Sequence, residues 1–369
     1  MRKITVDLGP RSYDVTVAAG LLAHLGATVA RLGRASHAVV ISDTTVVDLY
    51  GPAAAESLAE ANLAAGFISF PAGEANKTLA VYGKLLDDLL ALTPAIDRDG
   101  VIVALGGGVP GDVAGFVAAT ALRGLRVVQC PTTLLAAVDS SVGGKTGVDH
   151  ATGKNLIGAF HQPSAVVVDV ETFRTLPAAE RVNGLAECVK HGVIRDASLL
   201  GFIEDSAEAI AACDGQVMEE LVARNVAIKA AVVADDEREA GQRAHLNFGH
   251  TIGHAIEVFV GYENIAHGRA VALGMVAANH LAVSRGLIGD PDAERVEALL
   301  ARLGLDVRIP GLDAAEIWRI MQHDKKARRG QVRMVLPTAI GAVDIYDDIT
   351  PDEVVAAVAA LGGADEARA

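Results

Sequence analysis

His250-Thr251-Ile252-Gly253-His254 sets two imidazoles one helical turn apart on one face, a spacing that can chelate a metal ion. Core or capping histidines would show the same spacing. The glutamate that a metalloprotease carries between two such histidines is missing, so peptide hydrolysis lacks its general base. Glu187 and His267 lie in separate helical patterns, and either can complete a coordination sphere that keeps one position open for a substrate oxygen.

A second constellation is built for anions. Val101 to Leu105 reads as a buried strand, Gly106-Gly107-Gly108 as a turn, and Val109-Pro110-Gly111-Asp112 as the start of a helix. Glycine there lets a pyrophosphate approach backbone N–H groups at the positive end of the helix. The spacing departs from the usual dinucleotide fingerprint, and a plain tight turn needs glycine too. Gly143-Gly144-Lys145-Thr146 resembles the end of a P-loop, but Asp139 stands where that loop needs glycine and would repel phosphate. ATP hydrolysis is therefore not expected, although Lys145 and Thr146 can donate to another anion. Lys145, Lys154, Lys190 and Lys229 lie beside small or apolar neighbours, with Lys154-Asn155 in a turn bounded by Gly153 and Gly158. With Arg123 and Arg243 they would gather the local positive charge that a phosphate and a carboxylate require in a chain of net charge -14.

These residues need two kinds of scaffold. Runs at Ala38 to Ser42, Phe67 to Phe70, Val101 to Leu105 and Arg126 to Cys130 alternate with amphipathic stretches, which predicts a parallel sheet with ligands at the carboxyl ends of its strands. After Pro177 helical periods take over, through Arg181 to Arg195, Val217 to Asp235, Asn247 to Val260 and Gly268 to Arg285. Val332 to Leu336 and Ala342 to Tyr346 read as a hairpin, and Pro351 to Leu361 as a closing helix capped by Thr350, with a frayed tail after Gly363. The expected architecture is α/β. A parallel-sheet, nucleotide-binding domain over residues 1–175 precedes a mainly α-helical metal- and substrate-binding domain over 176–369.

Composition supports this division and excludes other classes. A chain of 369 residues, 51% hydrophobic and 4% aromatic, is long enough for two cores. Its acidic balance, without a Lys/Arg run, argues against nucleic acid or anionic membrane as partners. Cys130, Cys188 and Cys213 have no paired spacing, so a reducing cytoplasm is expected. Met1 to Asp7 alternates like a strand, and neither a signal peptide nor a membrane span is expected.

Together the segments resemble the 3-dehydroquinate synthase family of sugar-phosphate cyclases, from about Asp43 to Leu336. The resemblance is carried by Gly106 to Asp112, Arg123-Gly124, Pro131 through Asp139 to Thr146, and Gly153-Lys154-Asn155. Further along it rests on Gly158 to Pro163, Gly184 to Lys190, Leu246 to Glu257, His267-Gly268 and Asp324-Lys325-Lys326. It implies Glu187, His250 and His267 as ligands of zinc, with cobalt a possible substitute, and places His254 beside the substrate as a polar or proton-transfer partner. It further implies an NAD site at Asp43, Gly73, Glu74, Lys77, Gly107, Gly108, Val109, Gly111, Asp112, Thr132, Thr133, Asp139, Lys145, Lys154 and the loop Thr172, Phe173, Arg174, Thr175. Substrate residues would be Arg123, Lys154, Asn155, Lys190, Lys229, Arg243, Asn247, His254 and one of Lys325 and Lys326. The chain departs from the family at Asp149, where many relatives have Asn, and at Arg269, where an acidic residue is common.

The implied enzyme is a cytoplasmic homodimer and a carbon–oxygen lyase of the shikimate pathway. Its sugar-acid phosphate substrate is 3-deoxy-D-arabino-heptulosonate 7-phosphate, released as 3-dehydroquinate and phosphate after transient oxidation, β-elimination, reduction and an intramolecular aldol step. The alternatives are a 2-deoxy-scyllo-inosose or valiolone-type cyclase, which would not need to recognise a carboxylate, and a metal-dependent alcohol dehydrogenase, which would exchange free NADH.

Overall fold

The computed structural model describes residues 1–239, 241–323 and 332–362. The chain forms two compact units, Met1–Pro177 with Cys213–Ala234, and Ala178–Ala212 with Asp235–Ala369.

The first unit is organised by a sheet. Its strands are β1 (Arg2–Val6), β2 (Tyr13–Ala18), β3 (His37–Asp43), β4 (Ala64–Phe70), β5 (Val101–Gly106), β6 (Arg126–Pro131) and β9 (Ala165–Asp169). Among the described residues their order is β1-β2-β9-β6-β5-β3-β4. Only the β1–β2 pair is antiparallel; β2–β9, β9–β6, β6–β5, β5–β3 and β3–β4 run parallel, as expected. Every residue of β5 is buried, because both faces of the sheet are covered. Ile102 and Ala104 pack on one side with Val113 and Val117, while Val101, Val103 and Leu105 pack on the other with Leu25 and Leu58. The strands β2 and β9 lie outside the sequence expectation. In β9, Ala165-Val166-Val167-Val168 is buried throughout, as β5 is, but the chain passes from it directly into a 3-10 turn.

The glycine-bounded segment around Lys154 is a strand and not the expected turn. β8 (Gly153–Phe160) pairs antiparallel with β7 (Lys145–His150). Its glycines serve close approach: a Cβ on Gly158 would lie 2.0 Å from the Thr146 carbonyl oxygen, and one on Gly147 2.4 Å from that of Ile157.

The second unit is mainly helical. The helices Ala178–Arg195, His250–Val260 and His267–Ser284 form its centre, with Ala197–Asp205, Asp290–Arg302 and Ala314–His323 outside the sequence expectation. The helix expected from Asn247 starts only at His250, because Gln242–Asn247 is a 3-10 turn and Gly249, at φ 76°, turns left-handed before the first helical residue. Small residues let the central helices touch backbone to backbone. A Cβ on Gly274 would meet the Gly249 carbonyl oxygen at 1.9 Å, and one on Gly268 that of Asn183 at 2.0 Å. The late hairpin is β10 (Met334–Ala339) with β11 (Ala342–Tyr346). Thr350 caps Pro351–Ala359 in a full capping box with Glu353. The expected frayed tail after Gly363 lies outside the described residues. Among the described residues no helix is long and apolar enough to cross a membrane. All three cysteines are buried free thiols.

Candidate functional site

In the second unit, close helix packing brings three distant residues together. Glu187, fully buried on Ala178–Arg195, His250 at the start of His250–Val260, and His267 at the start of His267–Ser284 place ligand atoms within 4.8 Å of one another. His250 Nδ1 lies 3.1 Å from the Phe248 carbonyl oxygen, which can only accept, so Nδ1 carries a proton and Nε2 is the nitrogen turned toward a metal. His267 Nδ1 lies 3.2 Å from Glu257 Oε1, and the same reasoning leaves its Nε2 as a donor to metal. Glu187 Oε2 takes the Lys190 ammonium. Glu187 Oε1 is buried without a hydrogen-bond partner among the described residues and lies 3.5 Å from His250 Nε2. An orphaned carboxylate oxygen beside two imidazole lone pairs is a donor set suited to a zinc-like ion.

His254, half-buried, stands one turn along from His250 with ring centroids 5.3 Å apart, and 5.9 Å from the His267 ring. It also groups with Glu257 and His267 at ligand distance. Sequence reasoning passed over Glu257, although its place seven residues after His250 sets it two turns along the same helical face. Arg243 is buried in the 3-10 turn and donates from Nη1 to the Glu237 carbonyl oxygen at 2.5 Å; Asn247, half-buried, ends that turn. Arg269, the departure beside His267, is held by Asp306, so its charge is matched locally. Lys325 and Lys326 lie outside the described residues.

In the first unit the glycine turn forms as expected, with Gly107 as N-cap of the helix Gly108–Thr120. No side chain caps this end, so the N–H groups of Gly108 and Val109 are presented at the carboxyl edge of β5, where an anion can take them. Gly111 N–H instead bonds the Gly107 carbonyl. A Cβ on Gly107 would press on Thr133 Cγ2 at 3.0 Å. Thr132 is buried just past β6, and Thr133 Oγ1 accepts from Ala136 N–H at 3.1 Å. Asp43 ends β3 and caps the next helix by accepting from Val46 N–H.

Lys77 follows the Gly73, Glu74 turn and is buried. Its ammonium donates to Asp112 Oδ2 at 2.6 Å and to Asn155 Oδ1 at 2.5 Å. Burial disfavours that charge, but Asp112 and Glu74 outweigh the cost, so the Lys77 pKa stands above its ordinary value. Asp149, the other departure, accepts from Asn155 N–H at 2.7 Å, a contact that an Asn side-chain oxygen would also make. Lys154 lies 3.8 Å from Glu74, and Lys145 is exposed on β7. Lys229, buried on Gly215–Asp235, donates to both the backbone and the side chain of Asp139. Arg123 is exposed at φ 69°. The Thr172 to Thr175 segment falls in the 3-10 turn Val170–Arg174 and just beyond it, with Thr172 and Phe173 buried and Arg174 and Thr175 exposed.

Comparison with known proteins agrees with this chemistry. The family model described as 3-dehydroquinate synthase N-terminal matches residues 67–183, and that described as 3-dehydroquinate synthase C-terminal matches residues 184–327. The 3-dehydroquinate synthase of Symbiobacterium thermophilum is 47% identical over 352 residues, covering 95% of this chain and 98% of its own. A 2-epi-5-epi-valiolone synthase from Streptomyces hygroscopicus subsp. jinggangensis, solved with NAD+ and Zn2+ bound, superposes with TM-score 0.86 at 30% identity, covering 95% of this chain and 96% of that one. A 2-deoxy-scyllo-inosose synthase solved with carbaglucose-6-phosphate, NAD+ and Co2+ superposes with TM-score 0.87 at 27% identity, covering 97% and 99%.

Proposed function

The chain belongs to the 3-dehydroquinate synthase family, and we propose from that premise how its side chains share out the reaction. It is a carbon–oxygen lyase of the shikimate pathway that uses NAD and a divalent metal, zinc or cobalt, to turn 3-deoxy-D-arabino-heptulosonate 7-phosphate into 3-dehydroquinate and phosphate. When bound, NAD would supply reversible oxidation at the C5 hydroxyl, and the ion would supply Lewis acidity toward the substrate's hydroxyl oxygens.

Glu187, His250 and His267 would hold the ion; one carboxylate and two neutral imidazoles would leave it net positive, as a Lewis acid must be. The uncapped glycine turn, with Asp43, Glu74, Lys77, Thr132, Thr133, Asp139, Lys145 and the Thr172 to Thr175 segment, holds NAD. Arg123, Lys154, Asn155, Lys190, Lys229, Arg243, Asn247, His254 and one of Lys325 and Lys326 recognise carboxylate, hydroxyls and phosphate. Once C5 is a ketone, the C6 proton is acidic, and the departing phosphate itself takes that proton, so these residues need only steady the leaving dianion. Return of the hydride from the reduced cofactor would then permit ring opening and an intramolecular aldol, closing the carbocycle. The enzyme works in the cytoplasm as a homodimer, and its acidic surface gives nucleic acid nothing to bind.

The observation that carries this reading is the convergence of the orphaned Glu187 oxygen with two imidazole lone pairs, in a chain matched to the family along nearly its whole length. The test is phosphate release from the heptulosonate phosphate, with the product identified by mass. No release by the metal- and NAD-loaded protein would refute it.

A further inference from the structure

We infer that Glu257 is a positioning residue for the metal, holding His267 in the tautomer and ring orientation that turn Nε2 toward the ion; this rests on Glu187, His250 and His267 being the ligands. Glu257 is 4% exposed and its Oε1 lies 3.2 Å from His267 Nδ1. A buried carboxylate is costly, so a site that places one against a ligand histidine gains something for that cost. The gain here is twofold. An ionised carboxylate can only accept, so it fixes the proton on Nδ1, and its charge makes the imidazole a stronger electron donor through Nε2.

The two histidines are held differently. His250 leans on a neutral acceptor, the Phe248 carbonyl at 3.1 Å, which the backbone supplies whatever the side chain there. His267 leans on a side chain carried by a different helix, so its orientation depends on residue 257 being a carboxylate. Glu257 also comes within ligand distance of His254 and His267, which makes direct coordination the competing role.

The experiment titrates metal-free protein with Zn2+ against a chelator and records the visible d–d spectrum with Co2+, for the wild type, Glu257→Gln and Glu257→Ala, with Glu187→Ala and His250→Ala as ligand controls. Glu257→Gln should weaken zinc roughly 10- to 100-fold, keep one cobalt per chain and shift the d–d bands, with Glu257→Ala weaker still. Wild-type affinity and an unchanged spectrum in a Glu257→Gln protein that folds, as judged by its metal-free melting, would overturn the inference. Loss of stoichiometric cobalt matching Glu187→Ala would overturn it too, making Glu257 a ligand. If Glu257→Gln does not fold, Glu257→Asp takes its place: the charge is kept but drawn back by one methylene, the same weakening is expected, and wild-type affinity there refutes positioning. Should Glu187→Ala and His250→Ala themselves retain zinc, the ligand set is wrong. Should only those two lose it, positioning by Glu257 alone fails.

Discussion

Lys190 Nζ pairs with Glu187 Oε2 from one turn further along the same helix, while Glu187 Oε1 faces His250 Nε2 at 3.5 Å. The two oxygens thus have separate tasks, one tied to an internal cation and the other directed at the imidazoles. Both side chains are almost wholly buried, and breaking such a pair strands a charge.

Lys190→Met should therefore destabilise the metal-free protein by about 3–5 kcal/mol. Zinc should recover more stability in the variant than in the wild type, because the ion replaces the lost ammonium as countercharge to Glu187. Calorimetry with and without zinc checks both parts. Equal zinc-induced shifts in the two proteins would mean that Glu187 does not serve the ion.

Removing the ion should abolish turnover, and zinc or cobalt should restore it. Glu187→Ala should lower metal content at a given free zinc concentration, since two neutral imidazoles do not balance the ion's charge alone. Elemental analysis after dialysis reads this directly; wild-type content in the variant contradicts it.

An acid-stability test falls on the last helix. Arg285 donates to Glu353 and to Asp348, and the Glu353 carboxyl is driven down to about 2 by its bond to Arg285, against some burial, with help from the Thr350 N–H and hydroxyl. A depressed carboxyl stabilises above its unfolded value, here 4.5, and loses that stabilisation as pH falls toward about 2. Glu353→Gln should cost about 1 kcal/mol near neutrality, modest because the pair is partly solvated. Denaturant melts should show the gap between wild type and variant closing between those two values; a gap independent of pH would place the effect elsewhere.

The sequence announced the metal face but not its division of labour. His250 and His254 share a helical face, and period alone cannot separate a ligand from a neighbour; what favours His250 is its approach to Glu187, 63 positions away in the chain, at 3.5 Å. Glu257 was within reach of the same periodicity and passed unremarked. The sheet was legible where strands alternate with helices, and was missed at β9, which is buried on both faces like β5 but runs straight into a 3-10 turn instead of a helix that would complete the alternation. Lys77 shows a deeper limit. Its partners Asp112 and Asn155 come from segments 35 and 78 residues away, so its burial is decided by topology that no local pattern encodes. The Gly153 to Gly158 misreading has a similar origin, since glycine marks close backbone approach as readily as a turn.

Lys154→Ala should leave the fold intact and impair turnover. Its contact with Glu74, at 3.8 Å and partly exposed, contributes little to stability. A charge-assisted bond to a substrate phosphate or hydroxyl is worth about 1.5–3 kcal/mol, which predicts a fall in kcat/KM of roughly 10- to 100-fold. Steady-state kinetics beside a thermal melt decide it, and normal kinetics in a folded variant would remove Lys154 from the site.

The last prediction concerns the fate of one hydrogen. If oxidation at C5 is transient, hydride leaves and returns at the same carbon within one turnover, so NAD is required and yet no NADH accumulates while phosphate is released. Deuterium placed at C5 of the heptulosonate phosphate should then remain in the 3-dehydroquinate, as mass spectrometry of the product would show. Labelled NADH building up in proportion to product would instead indicate a dehydrogenase that releases its reduced cofactor. The same phosphate assay with sedoheptulose 7-phosphate and glucose 6-phosphate separates this enzyme from its sister cyclases, because neither sugar carries the carboxylate that Arg243 and the neighbouring cations are proposed to bind. Both should be poor substrates: without the carboxylate, the charge-assisted bonds proposed for Arg243 and the neighbouring cations are not made, at a cost of about 1.5–3 kcal/mol in transition-state binding. Faster phosphate release from either sugar would move the specificity to that cyclase while leaving the roles proposed for Glu187, His250, His267 and the glycine turn unchanged.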